Sequence, residues 1–267
     1  MTLLGDSRRT VEQPDQQNTP IELCRVDGST TLLRLPATPK TLTQRWFDPE
    51  FWDSQDKIVG RGIGRSTTLF FKEAGATHVL RHYRRGGLVR KLLKETYLFS
   101  GIRRSRIYRE FALLNQLDQR QLPVSKPVAA ILQKRGVFYR GSIITQAIPG
   151  SLNLLEILRQ RQLTHDELRA LGRTLAAFHS NGVDHADLNI GNVLLDSTGQ
   201  PHLVDFDRGR LRRPHPRWQR RNMKRLKRSF CKQQRLHQNL HWTQDHCRLL
   251  TDSYFEAMPD QARFPGL

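Results

Sequence analysis

Two closely spaced polar motifs constrain this chain more than any other feature of its sequence. The first runs from His185 to Leu195 and contains Asp187, with Asn192 five positions later; the second contains Asp205, eighteen positions after Asp187. Short apolar runs on either side of a turn at 196–201 predict a β-hairpin with polar groups at its ends. Phosphoryl transfer needs a group that orients or deprotonates the attacking hydroxyl, and oxygen ligands for Mg²⁺. The order and spacing of these residues therefore predict a phosphoryl-transfer centre.

The composition predicts a folded protein with anionic partners. The chain has 267 residues, of which 37% are hydrophobic, enough for a globular two-lobed domain. Its net charge of +19 indicates nucleic acid, acidic lipids or a phosphorylated substrate as partner.

Cysteine usage and apolar runs narrow the class further. Cys24, Cys231 and Cys247 form no CxxC pair, so we expect reduced thiols and neither a disulfide framework nor a zinc site. The N-terminal stretch lacks the apolar run of a signal peptide, and no stretch is apolar for long enough to span a membrane. We expect a soluble or surface-attached protein.

A glycine-rich segment lies between two predicted strands near residue 62. Gly60, Gly62 and Gly64 occupy alternate positions within 58–71, and glycines permit close backbone approach to phosphate oxygens and positive φ. The strand-like residues on both sides argue against a Rossmann turn or a Walker loop. The segment is either a phosphate-covering flap or an ordinary glycine-rich hairpin.

The next strand and helix carry one charged candidate each. Residues 77–83 predict a strand on which Arg81 can reach nucleotide phosphates. Residues 105–117 have helical periodicity, and Glu110 on that helix either pairs with a cation on the strand or is exposed.

The remaining pattern predicts an α+β, bilobal, protein-kinase-like architecture. A short helix at 46–52 has aromatic residues that we expect in the core. Strands at 128–132 and 138–145 precede a linker, after which helices at 152–162 and 168–181 lead into the opening motif. The predicted division is a disordered polar tail at 1–19, a nucleotide-binding lobe at 20–147, and a catalytic and substrate lobe with a basic tail at 148–267.

These motifs resemble those of the protein-kinase-like fold. His185-Ala186-Asp187 with Asn192 is similar to the kinase catalytic loop, and Asp205-Phe206-Asp207 to the metal-binding Asp-Phe-Gly. The resemblance implies ATP and Mg²⁺ as cofactors. It also implies a role for each candidate: proton acceptor or hydroxyl-orienting group for Asp187, Mg²⁺ ligands for Asn192 and Asp205, phosphate cover for Gly60, Gly62 and Gly64, nucleotide pairing for Arg81, and its helix partner for Glu110.

Four departures from the kinase pattern bear on substrate and nucleotide binding. Ala186 replaces the loop Arg, Asn189 replaces the loop Lys, and Asp207 replaces Gly. Each change favours a small-molecule or lipid-linked acceptor over a protein. Arg81 stands where Lys is usual, and the two are not interchangeable at a phosphate.

Within this fold the chain is most similar to the lipopolysaccharide-core kinases, and among them to the 3-deoxy-D-manno-octulosonic acid (Kdo) kinases. Residues 79–87, 185–192 and 204–209 carry the likeness. It implies ATP-dependent phosphorylation of the 4-hydroxyl of Kdo on a lipid A precursor, at the cytoplasmic face of the bacterial inner membrane, with no nucleic-acid partner.

The basic tail fits such a substrate. Residues 208–228 contain eleven Lys or Arg and no acid, and Trp218, Leu226 and Phe230 recur at multiples of four. Either this is a basic helix whose surface binds an anionic leaflet and an anionic substrate, or its apolar stripe packs on the domain and its charges are solvated.

Two other functions stay open at this stage. One is an aminoglycoside- or choline-type phosphotransferase, although such enzymes bind cations in acidic pockets and this chain is strongly basic. The other is a kinase-like factor associated with RNA or ribosomes.

Overall fold

The computed structural model describes residues 19–62, 68–83 and 97–259. Its first part is an eight-stranded antiparallel sheet. The strands are β1 (Glu22–Arg25), β2 (Thr30–Arg34), β3 (Ile58–Gly62), β4 (Thr68–Glu73), β5 (Ala76–His82), β6 (Tyr97–Leu98), β7 (Pro127–Arg135) and β8 (Phe138–Gln146). They lie in the order β1-β2-β7-β8-β5-β4-β3, with β6 paired to β8. Of the predicted disordered tail, residues 1–18 lie outside the described chain.

One face of this sheet is covered by aromatic residues that precede β3. Asp48 caps helix α1 (Pro49–Asp53), which begins with proline as predicted. Trp52 is fully buried and stacks on Phe71, with ring centroids 4.0 Å apart. The expectation that these aromatics pack in the core is confirmed.

The other face of the sheet holds helix α2 (Arg106–Gln119), which begins after the capping hydroxyl of Ser105. Its periodic apolar side chains are buried, as the sequence pattern predicts. Glu110 lies on the same buried side, so it is not one of the exposed helix glutamates.

The chain after the sheet is mainly helical. Thr164 and Glu167 form a capping box at the start of helix α4 (His165–Ser180), and Gly182 follows that helix with φ +76°. The helix predicted at 152–162 is present but shorter, as α3 (Leu154–Leu158). It begins later than predicted because Leu152–Asn153 form strand β9, which pairs with the next hairpin, and Asn153 then caps the helix.

The opening motif forms the predicted hairpin. Strand β10 (Val183–Asp184) leads into the loop, and β11 (Val193–Leu195) pairs antiparallel with β12 (Pro201–Leu203). Strand β13 (Arg210–Leu211) then pairs with β10. The loop between β10 and β11 therefore lies beside the end of β12, which brings Asp187 and Asp205 to one region.

Two helices complete the described chain, α5 (Pro216–Leu236) and α6 (Gln244–Ala257). The apolar stripe of the basic segment is buried: Trp218, Leu226 and Phe230 are each at most 3% exposed. The stripe therefore packs on the domain and is not available to a lipid surface. Of the two interpretations raised by the sequence, the packed stripe is the one found.

The α+β class is confirmed, with a sheet part followed by a mainly helical part. All three cysteines are free thiols. Within the described residues no helix is both long and apolar enough to cross a membrane. The assignment of 20–147 and 148–267 to nucleotide and substrate lobes stays a prediction.

Candidate active site

The backbone of Asp187 is held by two side-chain amides from its own loop. Asn189 Nδ2 and Asn192 Nδ2 donate to the Asp187 carbonyl at 2.8 and 3.1 Å. Asn189 Oδ1 also accepts the Gly191 N–H at 2.9 Å. The Asp187 carboxylate is 43% exposed, so the loop fixes the main chain and presents the acid to solvent.

His185 ties this loop to the strand that precedes Asp205. The imidazole is buried, packs on Phe206 with ring centroids 4.6 Å apart, and donates from Nε2 to the Val204 carbonyl at 3.0 Å. Burial lowers the pKa of His185, which favours the neutral form of the ring. The Val204 N–H in turn donates to the Asn192 carbonyl at 3.1 Å.

Two non-glycine residues of the site have left-handed backbones. Ala186 has φ +59° and Asp205 has φ +64°. Such conformations cost on the order of 1–3 kcal/mol each and persist where surrounding contacts impose them. Ala186 directly precedes Asp187, the predicted proton acceptor, and Asp205 is itself a predicted Mg²⁺ ligand.

Arg81 joins two of the predicted site residues. Its Nη1 donates to Asp205 Oδ1 at 2.9 Å, and its Nη2 contacts Glu110 Oε1. The expected pairing of Glu110 with a cation on this strand is confirmed. Tyr83, which the sequence did not single out, donates its hydroxyl to the other Glu110 oxygen.

Burial dominates the electrostatics of this pair. Glu110 is 2% exposed, and desolvation raises its pKa to about 7 although Arg81 acts in the opposite direction. Burial alone would lower the pKa of Arg81, but the Glu110 carboxylate raises it above the ordinary value, so the guanidinium stays charged.

Arg106 holds Asp207 and was also missed from sequence. Its Nε donates to Asp207 Oδ1 at 2.9 Å, and its Nη2 contacts Oδ2, a bidentate pair. The only indication of this cation in the sequence was Asp207, because an aspartate in place of the kinase glycine needs a cation nearby. Arg106 is the first residue of α2, so the pair links that helix to the Asp205 segment.

The donors at Asn192 and Asp205 fit a magnesium ion. Because Asn192 Nδ2 is used by the Asp187 carbonyl, its amide oxygen is the atom that remains for a cation. Asp205 is 42% exposed, and Arg81 contacts only one of its carboxylate oxygens. Mg²⁺ is commonly held by one or two protein oxygens together with waters and substrate phosphates. No cluster of three or more His, Cys, Asp or Glu side chains suited to a metal occurs in the described ranges.

The glycines lie at the edge of the sheet. Gly60 and Gly62 belong to β3, which is separated from Arg81 on β5 by β4. Neither has positive φ, so what they contribute is the missing side chain. Gly64 lies outside the described residues.

A buried carboxylate directly before the loop collects three arginines. Asp184 is fully buried, and its Oδ2 lies 3.0 Å from Arg212 Nη1, 3.0 Å from Arg221 Nη2 and 3.5 Å from Arg210 Nε. The sequence indicated a basic tail but not this acid. The only indication of Asp184 in the sequence was its position, directly before His185-Ala186-Asp187.

Helix α5 contacts the loop through one row of residues. Its members are four apart, and each bonds a residue of the 184–190 segment: Arg221 to Asp184 at 3.0 Å, Arg225 Nη1 to Asp187 Oδ1 at 2.8 Å, and Ser229 Oγ to the Ile190 N–H at 3.0 Å. The outer side of the same helix forms an open groove of about 550 Å³, lined by Arg217, Arg220, Arg221, Lys224, Lys227, Arg228 and Cys231.

A comparison with known proteins gives the family. The model of the lipopolysaccharide kinase (Kdo/WaaP) family matches residues 49–254. The chain belongs to this family. The match includes β3, α2, the loop of Asp187, α5 and most of α6, so the kinase-like α+β fold inferred from the motifs is confirmed.

Three curated relatives are named 3-deoxy-D-manno-octulosonic acid kinase. The Vibrio parahaemolyticus protein is 38% identical over 211 residues, which is 79% of this chain and 88% of the relative. That of Stenotrophomonas maltophilia strain K279a is 41% identical over 188 residues, covering 70% of this chain and 74% of the relative. That of Photobacterium damsela subsp. piscicida is 42% identical over 189 residues, covering 70% and 78%. These likenesses do not favour the aminoglycoside-type or RNA-associated alternatives.

Proposed function

We propose that the protein transfers the γ-phosphoryl group of ATP to the 4-hydroxyl of a Kdo residue on a lipid A precursor, in lipopolysaccharide core biosynthesis. Membership of a lipopolysaccharide kinase family makes it a phosphotransferase that acts on a sugar. The observation that carries the proposal is the joint arrangement of Asp187, Asn192 and Asp205 in a chain whose curated relatives are named Kdo kinases.

In the proposed mechanism Asp187 orients the acceptor hydroxyl and accepts its proton. The half-exposed carboxylate on an amide-fixed backbone suits this role, because the base must contact the substrate while its own position is held. His185 keeps the loop registered on the Val204–Asp205 segment, so that the base and the acid at Asp205 stay in fixed relation.

Asn192 and Asp205 would hold Mg²⁺ through an amide and a carboxylate oxygen. An ion held there would supply positive charge against the negative charge that develops during phosphoryl transfer. Arg81 contacts the nucleotide phosphates, positioned by buried Glu110 and by Tyr83. Gly60 and Gly62 let the β3–β4 hairpin approach the phosphates, and Gly64 belongs to the same proposal from sequence alone.

The lipid-linked acceptor implies a membrane surface. We propose that the protein associates peripherally with the cytoplasmic face of the inner membrane through its basic groove. Because the apolar stripe of α5 is buried, the attraction is electrostatic, on the order of 1 kcal/mol for each Lys or Arg near the anionic leaflet.

Mass spectrometry tests the proposal directly. Kdo-linked lipid A precursor is incubated with ATP, Mg²⁺ and the protein, and the products are examined for one added phosphate and, by fragmentation, its position. We expect the mass of one phosphate on the Kdo residue, and none with the Asp187→Asn variant. No mass increase with the wild-type protein would overturn the function, and phosphate elsewhere would overturn the 4-hydroxyl.

A further inference from the structure

The row of α5 residues that faces the loop contains one member unlike its neighbours. Arg221 bonds Asp184, which is fully buried, and Ser229 bonds a main-chain N–H. Both contacts satisfy groups that would be costly to leave unpaired, so they are structural. Arg225 instead bonds the carboxylate of Asp187, the proposed base.

The Arg225–Asp187 pair is exposed enough to exchange partners. The two side chains are 42% and 43% exposed. Exposed ion pairs contribute little to stability, so a ligand anion that binds the same guanidinium meets little opposition. Arg225 uses Nη1 for Asp187, and an arginine fork has further N–H donors in the same plane.

The charges around the loop are unbalanced. Asp184 is contacted by Arg210, Arg212 and Arg221, and Asp187 by Arg225. Four guanidinium groups therefore face these two carboxylates, whereas Arg81 alone is shared by two acids, Asp205 and Glu110. The surplus of positive charge is on the side of the loop that contacts Arg225, which favours an anionic group of the acceptor on that side.

We infer that Arg225 is a carboxylate-binding residue for the acceptor sugar. Its guanidinium, held at Asp187, binds the carboxylate of the same Kdo residue whose hydroxyl is oriented by Asp187. This inference rests on the proposed function. Kdo carries its carboxylate on C2 and the reacting hydroxyl on C4, on either side of a single ring carbon. One sugar ring can therefore contact two adjacent side chains, with its hydroxyl on Asp187 and its carboxylate on Arg225.

An arginine suits this position better than a lysine. A planar guanidinium can bind Asp187 through one N–H and a second carboxylate through another, whereas a compact ammonium has no such fork. The subsite would thereby discriminate acidic sugars from neutral ones at the point of chemistry.

The test pairs a change in the protein with a change in the ligand. The acceptors are the Kdo-linked lipid A precursor and its analogue in which the Kdo carboxylate is a primary amide. The proteins are wild type, Arg225→Gln, Arg225→Lys, and the control Arg235→Gln, which removes an exposed arginine near the end of the same helix that does not line the outer groove. KM for each acceptor and KM for ATP are measured.

We expect the amide to raise the wild-type acceptor KM about tenfold or more, the loss typical of a charged hydrogen bond. Arg225→Gln should show a similar rise with the natural acceptor and no further rise with the amide. Arg235→Gln should behave as wild type, and KM for ATP should stay constant throughout. If Arg225→Gln does not fold, Arg225→Lys and the two wild-type measurements decide the matter, with Lys expected to recover only part of the affinity.

Equal KM values of the wild-type protein for acid and amide would overturn the inference while leaving the kinase function intact. An amide penalty of the same size in Arg225→Gln and wild type would do so too. Absence of transfer to either acceptor by the wild-type protein would instead overturn the proposed function, and this inference with it.

Discussion

Arg81 Nη1 lies 2.9 Å from Asp205 Oδ1 while the same guanidinium contacts Glu110, so one cation joins the sheet, helix α2 and the end of the catalytic hairpin. These acids are 95 positions apart in sequence, at 110 and 205. The position at which the kinase pattern has lysine thus carries a residue that binds two carboxylates at once.

Arg81→Lys should impair both ATP use and folding. An ammonium cannot bind both acids with the geometry of the fork, and one buried partner would lose its bond. We expect kcat/KM for ATP to fall about tenfold or more, and the free energy of unfolding to fall by about 1–3 kcal/mol. Arg169→Lys is the control, because it lies on α4 and its pair with Asp166 is exposed. Unchanged ATP kinetics in Arg81→Lys would contradict the assignment.

Asp187→Asn should remove turnover and spare the fold. Loss of a general base lowers kcat by roughly 10²–10⁴, while the loss of an exposed ion pair costs at most about 1 kcal/mol. Phosphate transfer and urea unfolding of the same preparation separate the two effects. Asp166→Asn, in an exposed pair with Arg169, serves as control. Near-normal turnover in Asp187→Asn would exclude it as the base.

Acid should destabilise the protein through His179. This side chain is buried between α4 and α6, with Nδ1 2.7 Å from the Tyr254 hydroxyl, and burial lowers its pKa from 6.5 to about 3. Below pH 6.5 the unfolded chain binds a proton that the folded chain does not. The free energy of unfolding therefore falls as the pH falls towards 3, by up to about 1.4 kcal/mol per pH unit for this group.

His179→Gln should flatten that dependence between pH 6.5 and 5, measured by urea unfolding at several pH values. His241→Gln, at an exposed position, should leave the slope unchanged. Equal slopes in wild type and His179→Gln would show that other groups cause the acid sensitivity.

The left-handed backbone at Ala186 should restrict what can replace it. A β-branched residue at φ +59° is strongly disfavoured, so Ala186→Val should lower the free energy of unfolding by about 1–3 kcal/mol. Ala186→Gly relieves the strain but adds freedom to the unfolded chain, so it should stay within about 1 kcal/mol of wild type. Thermal unfolding distinguishes the two, and a fully stable valine variant would mean that the loop adopts another conformation.

Vesicle binding should depend on the outer cations of α5. Replacing Arg217, Lys224, Lys227 and Arg228 with Gln should weaken co-sedimentation with anionic vesicles, most visibly at low salt. These four are chosen because Arg221 and Arg225 are held by acids of the loop. The control replaces Arg25, Lys40, Arg45 and Arg135, exposed cations elsewhere, with Gln. Equal loss in both variants would indicate a general charge effect, and RNA binding in place of vesicle binding would point to a different partner.

Sequence patterns correctly predicted the helices and strands whose stabilising contacts lie between residues close together in the chain. The hairpin around 196–201, the capping box of α4 and the amphipathic α2 all depend on neighbours in sequence, and each was predicted within a few residues. The helix expected at 152–162 is present only over Leu154–Leu158. It begins late because Leu152 and Asn153 pair with strand β11, and helical periodicity does not contain that contact.

The residues of the site likewise fall into those that the sequence could predict and those that it could not. Asp187, Asn192 and Asp205 could be singled out because phosphoryl transfer needs their chemistry at a short spacing. Arg106, Asp184 and Arg225 could not, since each acquires meaning only from a partner brought close by folding: Asp207, three arginines and Asp187. The sequence shows only a run of basic residues. In the folded chain Arg221 and Arg225 bond Asp184 and Asp187, other cations of the run line the outer groove, and Arg221 takes part in both.

The outer groove lies beside the Asp187 loop and not across helix α5 from it. Arg221 lines the groove and also bonds Asp184, directly before the loop. Arg225, which bonds Asp187, is three positions from Arg228 of the groove, so the two arginines are neighbours on the helix surface. In the proposed complex an anionic group bound in the groove would therefore lie close to the acceptor sugar. The distance along the acceptor between its anionic groups and its reacting hydroxyl would then be a criterion by which substrates are selected.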